Sequence, residues 1–177
     1  MSNPRGMLRR ATRATDFLAI YNSAHDNACQ LLSEAEILFK HRRYARAYAL
    51  AFTALEEISK SQLAADAFTG FIGETEFSAL FRDHNGKIRR MDWVYEDEAA
   101  CYWDFDEVVR VKDMPSLADR NNALYVDVDG KKVRRPDSVI QEEQAKSTIC
   151  AIRLALERIW VTTEFWGRQI GTKGLLK

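Results

Sequence analysis

Phe17, Tyr21, Ala24, Ala28, Leu31, Ala35 and Leu38 follow one another at steps of four and three, and related spacings recur in three later stretches of the chain. Steps of that size place side chains on a single stripe of an α-helix. A chain with four such stripes must bury them against one another, which points to helices packed on helices. Only three Pro and eight Gly occur in 177 residues, so long helices can run uninterrupted.

The first stripe predicts a helix from about Thr15 to Lys40, followed by the basic corner His41-Arg42-Arg43. A second helix is expected over about Tyr44 to Phe68. Tyr44, Tyr48, Ala51, Leu55 and Ile58 form its stripe, and Ala47, Leu50 and Ala54 widen the buried face. Gly70 and Gly73 end it. A third helical region starts near Glu74 and strings Phe77, Phe81, Ile88, Met91, Tyr95, Ala99, Tyr102 and Val109 along one stripe. His84 falls in a gap of that stripe, and Gly86 beside it opens the option of two shorter helices.

Periodicity fails from Asp113 to Pro136. There Leu124-Tyr125-Val126-Asp127-Val128 alternates and meets the turn signal Asp129-Gly130 before Lys131-Lys132-Val133. This predicts a small β-hairpin or extended insert, the only extended segment, held to the bundle by Leu124 and Tyr125. The last helix is announced by Pro136, Asp137 and a capping-box pattern of Ser138 with Gln141. Ala145, Ile149, Ile152, Leu156 and Ile159 form its stripe, Phe165 and Trp166 extend it, and Gly167 and Gly171 close it. The expected fold is all-α, an antiparallel bundle of four to five helices with one insert. Residues 1–14 read as a basic arm, 15–170 as a single domain and 171–177 as a tail.

Composition narrows the functional classes. Lys plus Arg equals Asp plus Glu at 26 each, so RNA contact would need a local patch rather than a bulk field. Cys29, Cys101 and Cys150 are odd in number and widely spaced, which reads as three reduced thiols rather than a disulfide framework. No signal core follows the basic N-terminus, and no stretch approaches the roughly 20 apolar residues that span a bilayer. A cytoplasmic protein with no membrane partner is expected.

Chemistry is concentrated in two places. Glu56 and Glu57 both lie within reach of Lys60 on one helix. Glu57 continues the stripe of Ala47, Leu50 and Ala54, so its carboxylate belongs at the core edge and needs a partner. A solvated surface ion pair is the plainer alternative. His84 has Lys87 three residues on and Arg82, Arg89 and Arg90 nearby. Cations push an imidazole toward its neutral, basic form and also suit a phosphate, whereas a satisfied core histidine is the plainer reading. Helices antiparallel about a turn near Gly70 to Gly73 would bring Glu57, about 13 residues before it, level with His84, about 11 after it. His84 is therefore expected to contact Glu57 or Lys60. Glu-x-x-His pairs, glycine-rich phosphate loops, paired CxxC motifs and a GxSxG elbow are absent from the sequence, and neither a metal site nor a cofactor is expected.

The run Arg43-Tyr44-Ala45-Arg46-Ala47-Tyr48-Ala49-Leu50-Ala51 leading into Ala54-Leu55-Glu56-Glu57-Ile58-Ser59-Lys60 resembles the second-helix signature of the AbiV abortive-infection proteins. Phe81-Arg82-Asp83-His84-Asn85-Gly86-Lys87 resembles their His-x-x-Lys element, and the likeness covers roughly residues 20 to 165. It implies a HEPN-type helical domain, a role in phage defence and a homodimer. Many HEPN proteins are metal-independent ribonucleases with an Arg-x4-6-His motif. No Arg stands five to seven residues before His25, His41 or His84 here, so that site does not carry over. An RNA-cleaving or RNA-binding toxin would instead use Glu57, Lys60, His84 and Lys87, with Arg82, Arg89 and Arg90 on the RNA. A phage protein is the expected activator. The alternative is a non-catalytic module that binds a phage protein or a host factor through surfaces such as Trp103, Trp160 and Trp166.

Overall fold

The computed structural model describes residues 15–95, 99–104, 107–112 and 114–165. The basic arm, Trp166, the closing glycines Gly167 and Gly171, and the tail lie outside them.

Two long helices form the frame. Helix α1 spans Phe17–Lys40, and the Asp16 carboxylate caps it by accepting from the Ala19 N–H at 3.0 Å. After a three-residue corner, in which Arg42 takes a left-handed φ of 58°, helix α2 spans Tyr44–Phe68 and returns along α1. Gly70, with φ of 77°, ends α2. Its N–H donates to Ala67 and that of Phe71 to Asp66, the paired bonds of a Schellman turn.

Helix α2 is the centre of the molecule. Ala47, Ala51, Ala54, Leu55 and Ile58 are fully buried. The alanines let neighbouring backbones come close, and α2 packs against α1, helix α3 (Glu74–Arg82), helix α4 (His84–Arg89), helix α5 (Leu117–Leu124) and helix α7 (Glu142–Phe165). From α7, Ala145, Ile149 and Ile152 complete the core at no exposure. Each buried Leu or Ile contributes about 1.5–3 kcal/mol.

The helical bundle agrees with the stripes, but several boundaries do not. The third region breaks at Asp83, where the backbone is extended (φ −82°, ψ 101°), and Gly86 sits inside α4. A single 3-10 turn follows at Asp92–Val94. Tyr102 and Val109 then lie in a β-hairpin rather than on a helix. Strand β1 (Ala100–Asp104) pairs antiparallel with strand β2 (Glu107–Arg110), Cys101 opposite Val109 and Tyr102 opposite Val108. Period-two alternation wins here. Trp103 turns inward onto Phe39 at 4.8 Å between ring centroids, while Tyr102 is 77% exposed.

The expected hairpin is present as strands β3 (Asp127–Asp129) and β4 (Lys132–Arg134), and it is therefore not the only extended segment. Leu124 ends helix α5 and packs on the core, but Tyr125 is 64% exposed and anchors nothing. The Ser138–Gln141 cap also gives way. Pro136–Val139 form a one-turn helix α6, where Ser138 bonds the Arg135 backbone. Ile140 then turns extended to bury itself, and the Gln144 side chain accepts from the Gln141 N–H to open α7.

The cysteine expectation is overturned as well. Cys101 of β1 and Cys150 of α7 form a disulfide with Cα atoms 5.9 Å apart, and Cys29 alone is free. Their separation of 49 positions concealed a contact that the unforeseen hairpin creates.

Candidate functional site

Helix α2 offers a second stripe beside its apolar one. Phe52, Glu56, Ser59, Leu63 and Asp66 advance by four, three, four and three, and all five are buried. Three of the five are polar, so this side of α2 needs polar cover. The cover is α4, whose His84, Lys87 and Arg90 advance by three; Arg90 is its C-cap.

Glu56 is the hub. Its Oε1 lies 2.5 Å from His84 Nδ1 and 3.7 Å from Lys87 Nζ. The Glu56 side chain is 5% exposed and the His84 ring 54%, so a buried carboxylate holds one edge of an imidazole whose bulk faces solvent. Lys87 is buried behind them, and its ammonium also donates to the Phe81 carbonyl at 3.1 Å. Burial lowers the Lys87 pKa, and the facing Glu56 carboxylate opposes that shift.

This corrects the expected partner of His84. Glu57 lies one position round the helix, where its carboxylate pairs with Lys60. The Lys60 ammonium stands 5.6 Å from the centre of the Phe81 ring. Glu57, Lys60 and Phe81 line a shallow groove of about 520 Å³ with Asp16, Ile20 and Asn27 of the α1 end. His84 and Lys87 therefore meet at Glu56, while Glu57 and Lys60 form the adjoining groove wall.

The three arginines separate. Arg82 is exposed, and Arg89 is exposed with Asp83 at 3.9 Å. Arg90 is turned inward onto the fully buried Asp66, so its charge secures α4 to α2. Residue-type spacing pointed to Glu57, whereas the polar positions inside the stripe from Phe52 to Asp66 were the signal that identifies Glu56 and Asp66. Among the described residues, no three His, Cys, Asp or Glu side chains gather to hold a metal.

Of the tryptophans proposed as interaction surface, Trp103 is packed between Phe39 and the Arg153 guanidinium, 4.5 Å from its ring. The Trp160 side chain and Trp166 lie outside the described residues. Exposed apolar groups include two cross-strand pairs on the hairpins, Tyr102 with Val108 and Val128 with Val133, besides others such as Ile37 of α1 and Phe71 after α2.

The helical bundle, with a charged seam between its central helix and a short partner helix, is consistent with a HEPN-like all-α fold. The model of the AbiV family matches residues 16–157, and the chain belongs to that family. Membership points to abortive-infection defence against phage. No curated protein and no solved structure matches the chain. No helix among the described residues is long and apolar enough to cross a membrane.

Proposed function

We propose that the chain is an RNA-directed effector of abortive infection in which His84, oriented by Glu56, moves the proton of an RNA 2′-hydroxyl. The observation that supports this reading most is the contact of an exposed imidazole with a buried carboxylate at 2.5 Å. An ionised Glu56 accepts from Nδ1–H and leaves the Nε2 lone pair toward solvent, the tautomer a general base needs. Nε2 takes the 2′-hydroxyl proton, the oxygen attacks the adjacent phosphorus, and the P–O5′ bond breaks as the departing 5′-oxygen takes a proton from water. The products are a 2′,3′-cyclic phosphate and a 5′-hydroxyl. Glu56 faces the positive charge that develops on the ring, and Lys87 balances the buried carboxylate. Arg82, Arg89 and Lys60 offer charge to the phosphates, with Glu57 holding Lys60 in place. The cleaved RNA is one that translation requires, the protein acts as a homodimer, and a phage protein activates it.

Incubating purified protein with unstructured RNA and assaying the ends tests the reading. Wild type should yield cyclic-phosphate ends, and His84→Ala should abolish them while keeping its helical circular dichroism. Intact RNA with wild type, or full cleavage by folded His84→Ala, would refute it. A monomer in light scattering at tens of micromolar would remove the dimer.

The exposed pairs Tyr102–Val108 and Val128–Val133 favour a second reading, a non-catalytic module that binds a phage or host protein. Replacing these four residues by Ser should then abolish protection against phage, whereas His84→Ala should not.

A further inference from the structure

The cysteine pair lies on elements that the RNA reading does not use. Cys101 is half-buried on β1, and Cys150 is fully buried on α7. Their Cα separation of 5.9 Å suits a bridge formed without moving either backbone. Val109 of β2 is the cross-strand partner of Cys101, and its carbonyl oxygen lies 3.5 Å from Cys150 Sγ, placed to accept from an S–H. A disulfide sulfur has no proton to give, so this contact becomes a hydrogen bond only when Cys150 is a thiol. The same site thus suits both redox states.

We propose that Cys101 and Cys150 form a reversible oxidation site that locks the β1–β2 hairpin to α7, with dithiols as the reductant class. The exposure of the two residues, Cys101 half-buried and Cys150 fully buried, sets the direction of reduction. A reductant thiolate attacks Cys101 Sγ, the more accessible of the two, and forms a mixed disulfide. The Cys101–Cys150 bond breaks, and its electron pair leaves on Cys150 Sγ, which takes up a proton and donates it to the Val109 carbonyl. The second reductant thiol, as its thiolate, then displaces Cys101, which is protonated in turn. Two electrons and two protons have passed to the pair, and the reductant ends as its own disulfide. Oxidation by a small disulfide such as oxidised glutathione reverses the sequence.

The bridge adds a covalent tie to the noncovalent ones, among them the Lys112 N–H donating to Ser147 Oγ at 2.8 Å and the Arg153 guanidinium over the Trp103 ring. Glu107 of β2 pairs with Lys146 of α7 at 2.6 Å, but the Glu107 side chain is 49% exposed and water competes for it. Trp103 against Phe39, with Val111 at the end of the hairpin, supplies apolar attachment to the core. With the bridge open, the hairpin can lift without unfolding the bundle.

Hydrogen exchange of the full-length protein, followed by peptide mass spectrometry, tests this directly. After treatment with oxidised glutathione, Cys101 and Cys150 peptides should be linked and Cys29 should not join them. Adding a dithiol should separate them and speed exchange of the β1 and β2 amides by at least about tenfold, with α2 unchanged. A Cys101→Ser/Cys150→Ser double variant should exchange like reduced wild type whatever the redox conditions. Failure to link the two peptides, or equal hairpin exchange in the oxidised and reduced wild type, overturns the proposal. The wild-type comparison decides it even where the double variant does not fold.

Discussion

Glu56 and Glu57 are chemically identical neighbours given different work by a rotation of about 100° round the helix. Glu56 is buried against His84 and Lys87, whereas Glu57 faces Lys60 at the groove. If Glu56 orients the imidazole, Glu56→Gln should lower RNA cleavage by about 10²–10⁴-fold, the usual worth of a positioned acid–base group. Glu57→Gln should reduce it far less. Equal losses in single-turnover assays would contradict the assignment. Lys87 sets a second expectation at this scale. Burial holds its pKa below the ordinary 10.5, so the unfolded chain keeps the Lys87 proton at a pH where the folded chain has released it. Across that window, between the lowered value and 10.5, the unfolded state binds more protons and the contribution of Lys87 to stability rises with pH. Urea midpoints of wild type relative to Lys87→Met should therefore climb toward 10.5, and a flat difference would show that burial does not perturb this amine.

At the scale of elements, the charged seam does what an apolar stripe does elsewhere. Helix α4 has six residues, too few to persist alone, and α2 holds it through Glu56 with Lys87 and Asp66 with Arg90. Asp66 is fully buried, so Asp66→Asn strips the Arg90 guanidinium of its counter-charge. We expect a loss of about 3 kcal/mol in chemical denaturation. A change within error would mean that solvent supports Arg90 without its partner. The seam also explains what the sequence disclosed. Leu55, Ile58 and the alanines of α2 announced themselves by apolar spacing, as did Ala145, Ile149 and Ile152 of α7. Glu56 and Asp66 did not, because an acidic residue at a stripe position reads equally as core edge or surface. The β1–β2 hairpin was hidden for a different reason. Tyr95, Ala99, Tyr102 and Val109 fit a helical period by coincidence, and only the inward Trp103 and outward Tyr102 reveal the true alternation.

For the whole molecule, the two halves of the candidate site sit on very unequal supports. Glu56 belongs to α2, which is walled in by α1, α3, α5 and α7 and cannot open until the core does. His84 belongs to α4, a six-residue clip held by α2 and by the Lys87 hydrogen bond to Phe81 of α3. If the chain cleaves RNA as proposed, warming should therefore disarm it before the bundle melts. Cleavage measured as a function of temperature should fall, reversibly, several degrees below the midpoint of circular dichroism, because α4 peels from a bundle that is still intact. Superimposed activity and melting curves would show the two helices moving as one cooperative unit. If the chain cleaves RNA as proposed, α4 is its arming pin: anything that braces α4, whether a second subunit, a nucleic acid or a phage product, should raise cleavage without touching the fold.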